Sequence, residues 1–546
     1  MQLPDVNLET ISDLATREVV QQLLNIIEAL VAENTALRVE NQQLRDENAR
    51  LKGGSGKPNI KPSVVPPPTD HSSEAERQTR TPRGKPKKNQ TLTVTREERC
   101  VVDPATLPPD ARFNATRETI VQNLIIQVEV IRFLREEWFV PSTNTTILAP
   151  LPPGYHGGFS PTIQTIVPAL GHDTTNVSQP ALRNFLRTVG VSIGTGTVAR
   201  LLGDSTSRWA EEAEAIHQAG LASGPWVATD QTSTRVAGQN EVCHVVGNAL
   251  FTRYHTRPGG TRQDVLAVLW GQELRFRLND EAVGWLEATS LPASLRKRLV
   301  LALPWERDLT AAELQEQLTA GGVRLGRQQQ QQVGDALAVA AYHAQTSVPI
   351  VAWLLSDDAT VYDHLTDGHG LCWVHDWRHY AKLRPVVACH LRALQAYRTD
   401  YWELYRALLK YRETPSDAER ARLRQAFDTL VARRTGYAAL DERIGKTADK
   451  REQLLAVLEL PDLPLHNNDM ELAARRRVRK RDVSFGPQSR AGARAWDTFQ
   501  TIAATAAKLG VGLFHYLHDR LVSPQTTPSL AERIAQRSPL TAQPAG

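Results

Sequence analysis

PWVATDQTSTRV, residues 225–236, opens the part of the chain that decides the fold. It is the first of three short β-type runs in a row, 225–236, 241–249 and 251–256, which predict an antiparallel meander. A helix is expected near 262–270. VPIVAWLLS (348–356) is apolar throughout, as a strand buried on both faces is, and 370–374 reads as another strand. Meander, helix, strand and then helices is the order of an α/β core, which we place at 223–522. Within it, residues 271–346 read as a helical, charged insertion ending near Gln328 to Gln332, and 376–460 as a second insertion of long helices. A helical region at 466–521 closes the fold. The Pro/Thr/Gln-rich tail, 523–546, is expected to be disordered.

Three acidic residues stand apart along this stretch. Asp230 ends the apolar run Trp226-Val227-Ala228-Thr229, and Asp357 ends the run 348–356. Glu471 follows Asn467-Asn468-Asp469-Met470 at the start of an expected helix. Carboxylates at two strand ends, joined by one from a helix, suit two divalent ions about 3.5–4 Å apart. Such a pair activates the attacking oxygen and stabilises the leaving oxygen of an in-line phosphoryl displacement. Hard oxygen ligands favour Mg²⁺ or Mn²⁺, two ions in all.

Several short motifs carry a family resemblance in the right order over about residues 115–520. They are Asp230-Gln231-Thr232, then Ser356-Asp357, then Cys372-Trp373-Val374-His375 with Arg378 just beyond. Asn467-Asn468-x-x-Glu471 follows, then Arg479-Lys480 before Gly486, then Ala507 to Gly510 with Tyr516-Leu517. The chain resembles the transposases of the insertion-sequence 66 type, a DDE group with an RNase H-like core. The resemblance implies Asp230, Asp357 and Glu471 as catalytic, metal-holding residues, with His375, Arg378, Asn467 and Asn468 supporting the site. It chooses Asp357 over Asp358 and leaves Asp358 to open the following turn. It also implies an N-terminal coiled coil, and DNA cleavage followed by strand transfer at the ends of an insertion sequence. The chain departs from the pattern too. Gln231 replaces a glutamate, Leu472 stands where arginine is common, and the family's cysteine-rich zinc module is missing, with Cys100 alone in that region.

Upstream, residues 1–52 form the expected coiled-coil segment. Leu23, Leu30, Leu37, Leu44 and Leu51 fall seven apart, interleaved with Val20, Ile27, Asn34, Asn41 and Asn48. Leucine at d with asparagine at a favours a parallel homodimer; a single amphipathic helix packed on the body is the other reading of the same letters. Residues 53–112 read as a basic flexible linker, carrying Arg77, Arg80, Arg83, Lys85, Lys87, Lys88, Arg96 and Arg99. Residues 113–222 read as a strand and helical DNA-binding region, with β-branched content at 121–132. Two short helices at 179–189 and 195–203, joined across Gly190, resemble a helix-turn-helix, with Thr195, Thr197 and Arg200 on the recognition helix. The densest positive charge is Arg475, Arg476, Arg477, Arg479, Lys480 and Arg481, six cations in seven residues, and it is assigned to DNA backbone contact.

Other chemistries fare worse. Cys372, His375, Cys389 and His390 have zinc-like spacing, yet core and site-wall roles suit them better, so zinc is not expected. Gly194-Thr195-Gly196 has no phosphate-loop lysine, and Ser356 and Ser484 have no evident base. With 41% apolar and 23% charged residues over 546, the chain is that of a globular protein of several domains. Four cysteines are too few for a disulfide scaffold, and no apolar run is long enough to span a membrane. The expected setting is the bacterial cytoplasm, associated with the nucleoid. Expected partners are DNA (transposon ends and target), a second copy through the coiled coil, and accessory transposition proteins. The rival readings are an RNase H-like nuclease without strand transfer and a catalytically inactive, zipper-dimerised DNA-binding protein.

Overall fold

The computed structural model describes residues 6, 8–51, 93–108, 110–155, 158–172, 176–203, 207–522 and 525–538. Most of the expected linker, including Arg77 to Lys88, lies outside these. A continuous helix, α1 (Leu14–Leu51), comes first. Its first half docks on the body. The Glu28 carboxylate accepts the N–H groups of Val386 (2.9 Å) and Val387 (2.7 Å), and Asn25 accepts from Ala438 N (2.9 Å). Each thereby caps the N-terminus of a body helix, where free N–H groups and the helix dipole favour an oxygen acceptor. The heptad leucines Leu23, Leu30, Leu37, Leu44 and Leu51 are nevertheless each 50% exposed or more. The helix therefore docks through one face and leaves its leucine stripe uncovered.

The region expected to be strand-rich is built otherwise. Residues 111–136 have no regular secondary structure, and the one hairpin described there pairs Glu137–Val140 with Thr145–Leu148. β-branched content reports a pleat only where a partner strand supplies the ladder. Beyond it, helices Gln179–Thr188 and Thr195–Leu202 pack on Pro161–His172 around a small core of Val167, Leu182, Leu186, Val198 and Leu201.

The centre is a five-stranded sheet. β1 (Trp226–Val236), β2 (Gln239–Gly247) and β3 (Thr252–Arg257) form the meander, and β4 (Trp353–Ser356) and β5 (Gly368–Leu371) complete the order β3-β2-β1-β4-β5. β1 to β3 are antiparallel; β4 runs parallel to β1, and β5 parallel to β4. The first turn is Ala237-Gly238, both at positive φ (48° and 80°), which matches the two-residue hairpin geometry that follows strand twist. The apolar run 348–356 yields a strand only over its last four residues, because β1 offers β4 partners at Trp226 to Ala228 alone.

Between β3 and β4 lie α2 (Arg262–Trp270), three short helices with an antiparallel pair of two-residue strands, and α3 (Arg327–Ala344). α3 is buried from Val333 to Tyr342 and shares one hydrophobic core with α2, β1 and β4. The expected insertion 271–346 therefore stops short of α3, which is a layer of the core. After β5 come α4 (Trp373–Tyr380), α5 (Ala388–Glu413) and helices Asp417–Val431 and Ala438–Ala448, around an aromatic cluster of Trp373, Tyr380, Tyr397, Tyr401, Tyr405 and Phe427. α6 (Asn468–Ser484) and α7 (Arg490–Lys508) follow. The tail corrects another expectation: residues Leu530–Arg537 form a helix with a Ser529/Glu532 capping box, and Leu530 and Ile534 are fully buried.

α7 covers the open edge of the sheet. The N–H groups of Thr252, Tyr254 and Thr256 on β3 donate to Thr505 Oγ1 (3.2 Å), Thr501 Oγ1 (3.0 Å) and Asp497 Oδ2 (2.7 Å). Four helical residues rise about 6 Å and two strand residues about 6.6 Å, so the two ladders stay in step. An edge strand that would otherwise template aggregation is thus satisfied by side chains. Thr501→Val keeps the shape but leaves the buried Tyr254 N–H without an acceptor. We expect it to lower stability by about 1–3 kcal/mol in urea unfolding, with Thr501→Ser costing less. Equal midpoints for Thr501→Val and the parent would show that this ladder is not stabilising.

Candidate active site

Strand register brings the first two carboxylates together. Trp226, Val227 and Ala228 pair with Trp353, Leu354 and Leu355, and continuing that register sets Asp230 level with Asp357. Ala228 and Leu355 share the face packed against Met470 and Ala473 of α6, so the residues two further along point to that face as well. Asp358 points elsewhere, to Lys450 and to His379 (3.3 Å). The turn-capping role expected of Asp358 belongs to its neighbour, since Asp357 Oδ1 accepts the Ala359 N–H at 3.2 Å.

The third carboxylate is positioned by the start of α6. Asn467 is buried, its Nδ2 donates to Thr229 O (2.6 Å), and its N–H lies 3.3 Å from Cys372 Sγ. One asparagine therefore ties the helix start to the residue before Asp230 and to the motif after β5. Glu471, one turn later, is 11% exposed at its side chain. Arg378 donates to both its oxygens (3.1 and 2.8 Å) and to His375 Nε2 (2.7 Å). Asn468 makes no such contact with the cluster; its N–H donates to His466 Nδ1 (3.3 Å).

Burial, together with the charges of Asp357 and Glu471, raises the Asp230 carboxyl to about 6, against the opposing Gln231 N–H bond and Arg378. Burial and Arg378 hold His375 below its ordinary value. The three carboxylates lie near enough for Asp357 and Glu471 to act on Asp230, and two guanidiniums stand on Glu471, Arg378 and, at 3.7 Å, Arg475; divalent cations would relieve such a concentration of negative charge. Tyr362 was not anticipated. It is fully buried, and burial with the charges of Asp357 and Asp230 raises its hydroxyl's pKa. It follows Asp357 in a short 3-10 turn, with no motif to mark it.

The zinc-like set divides. Cys372, His375 and Glu471 each place one ligand atom within 4.8 Å of the others. His390 instead stacks on Tyr437 (4.6 Å) and faces Glu28 (3.3 Å). Burial pushes the Cys372 thiol up to about 11, and Arg378 stands on both His375 and Glu471, which disfavours a soft cation there.

The basic run needs correcting. Arg477 is 1% exposed, paired with Asp497 and lying over the rings of Tyr254 (5.5 Å) and Trp496 (5.6 Å). Lys480 is buried, donates to Gly171 O, and is pushed by burial and by Arg477 down to about 7. Met470, Ala473, Ala474, Arg477 and Lys480 form the buried stripe of α6, and that helical phase was legible in the sequence. Arg475 and Arg479 are exposed, Arg476 is half-buried, and Arg481 donates to Ser233 O (2.6 Å). Of the helix-turn-helix residues, Arg200 is exposed and Thr197 half-buried. Thr195 ties the helix pair together, accepting from Arg183 Nη1 and Gln179 Nε2 at 3.0 Å each.

Residues 338–495 match the family described as "Transposase IS66 family", a span holding Asp357, the Cys372–His375 motif, Arg378 and Glu471 but not Asp230. An uncharacterized protein of Sinorhizobium fredii, y4jO, is 32% identical over 327 residues, 59% of this chain and 99% of the relative. No solved structure matches. Among the described residues no helix is long and apolar enough to cross a membrane. The chain belongs to the IS66 transposase family.

Proposed function

We propose that this transposase is of the DDE type, cutting and rejoining DNA at element ends through Asp230, Asp357 and Glu471 on an RNase H-like core. The observation that carries the reading is the convergence of these three carboxylates from segments up to 241 residues apart, where burial, with the charges of Asp357 and Glu471 added to it, holds Asp230 near 6. The sheet order, with an antiparallel meander and two parallel strands, supports the core assignment. Two Mg²⁺ or Mn²⁺ ions bound there would activate the attacking oxygen, first water and then a 3′-hydroxyl, and stabilise the leaving one. Asp230, Asp357 and Glu471 would hold them, and Asn467 fixes where Glu471 stands. Arg378, with 44% of its side chain exposed, has the planar fork that matches a phosphate. The exposed Arg475 and Arg479 offer charge along the same helix for a DNA backbone. The uncovered leucine stripe of α1 supports a parallel homodimer.

Asp357→Asn should abolish Mg²⁺-dependent cleavage of a DNA substrate while leaving DNA binding intact. Asp358→Asn, which loses the Lys450 pair, should cost about 1 kcal/mol of stability and keep activity. Two active mutants would refute the site.

Without metal, Asp230 is an acid with a raised folded-state value, so it favours folding below about pH 4 and opposes it as pH rises through about 6. Asp230→Asn should therefore be roughly 1–3 kcal/mol more stable than the parent at pH 7.5, an advantage that vanishes toward pH 4. Added Mg²⁺ should raise the parent's melting temperature and not the variant's. A variant that responds equally to Mg²⁺ would place the ions elsewhere.

The cations of α6 should divide by burial. Arg475→Ala and Arg479→Ala should each flatten the salt dependence of DNA binding by roughly 0.9 log-log units per lost phosphate contact. Arg477→Ala, which strands Asp497, should instead cost about 3–5 kcal/mol in unfolding. The reverse pattern would mean that α6 packs through its other face.

A further inference from the structure

α6 ends in a manner that folding alone does not favour. Its C-terminal residue position beyond Ser484 is Phe485, at φ +57°, in the left-handed conformation usually taken there by glycine or asparagine. For a bulky aromatic residue this backbone is strained. Gly486 at φ +86° follows at once, so a chain needing only a turn had the unstrained residue one position away. The strained backbone does not gain burial: Phe485 is 85% exposed, among the most exposed large apolar side chains of the catalytic core.

The surroundings pin the turn that carries the ring. Phe485 N–H donates to Arg481 O at 2.7 Å. A Cβ on Gly486 would meet Arg235 O at 2.7 Å, and Pro487 O accepts the Ala237 N–H at 3.0 Å, so the turn is pinned against the β1–β2 hairpin. Arg235, Arg479, Arg490 and Arg494 are exposed around this end of the core, Arg490 paired with the buried Glu241 at 2.6 Å, and they outnumber the one exposed acid of this turn, Asp482. Fourteen helical residues separate Phe485 from Glu471, a rise of about 21 Å. An aromatic face held clear of the body, on a cationic surface one helix length from the carboxylates, matches what a nucleobase needs: a stacking surface beside phosphate-binding charge.

We propose that Phe485 stacks on a DNA base that has left its duplex stack, about 21 Å from the metal-binding carboxylates. The inference rests on the DNA-joining reading above and adds a contact that the three carboxylates do not require. It makes Phe485 a positioning residue for DNA: its backbone strain is retained because the ring binds base.

The test uses the full-length protein and a forked DNA, a duplex with unpaired arms, carrying 2-aminopurine at successive arm positions. Stacking quenches this base's fluorescence. We expect quenching at one or two adjacent positions, lost at least about 2-fold in Phe485→Ala and retained in Phe485→Trp, while the salt dependence of binding stays that of the parent. Phe485→Gly should lose the quenching and raise the unfolding midpoint, since glycine relieves the left-handed backbone. Full quenching in Phe485→Ala, with binding intact, would overturn the inference and leave the transposase reading standing. A parent protein that binds neither the fork nor an ordinary duplex would overturn both.

Discussion

Three carboxylates that repel one another are brought to neighbouring elements, and the bond from Asn467 Nδ2 to Thr229 O is where the fold secures the third of them. It fixes the first turn of α6 against β1, so Glu471 cannot relax away from Asp230. Two further bonds make the position hard to leave: Trp373 N–H to Leu465 O at 3.0 Å, and Tyr254 hydroxyl to Ala473 O at 3.0 Å. Arg378 offsets part of the repulsion at Glu471. Burial, with the charges of Asp357 and Glu471 added to it, raises the Asp230 carboxyl to about 6.

α6 then acts as a beam along which separate tasks are spaced. Glu471 lies at its start and the turn against the β1–β2 hairpin at its end. Between them Arg477 pairs with Asp497, the same residue that takes the Thr256 N–H and hydroxyl on the edge strand. The helix that carries the third carboxylate is thereby joined to the helix that closes the sheet. Lys480, three residues on, reaches Gly171 O at the end of helix Pro161–His172, on which the helix-turn-helix pair rests. Burying two cations is expensive, and here each is surrounded by partners: aromatic faces for both, a carboxylate for one, a helix C-terminal carbonyl for the other.

Local signals translated well where they had local causes. The helix expected near 262–270 begins at the Thr261/Asp264 capping box and ends on Gly271 at φ +73°, all within eleven residues. The helix at Leu530–Arg537 also carries a capping box, Ser529 with Glu532, set in a Pro/Thr/Gln-rich tail whose composition points to disorder. VPIVAWLLS showed the opposite failure: Val348 and Val351 are buried by tertiary packing, so their apolarity reported burial and not a strand. Likewise the seven-residue leucine spacing was legible in α1, whereas its docking through Asn25 and Glu28 depends on helix N-termini more than 350 residues away.

By itself the sequence determined which residue types stand where along the chain: Asp230 and Asp357 at the ends of apolar runs, although Asp230 lies inside β1 and not at its end, and Glu471 four residues after Asn467. Those facts follow from periodicities of two and 3.6 residues, which are properties of the local backbone. Tertiary structure alone decided which neighbour serves. The register of β4 on β1 turns Asp357 toward Asp230 and sends Asp358 to Lys450. The packing of α6 on the sheet buries Arg477 and Lys480 and leaves Arg475 and Arg479 outward. A side chain's direction is set by its own backbone, but what it meets there is set by the element packed against it, and that element comes from elsewhere in the chain.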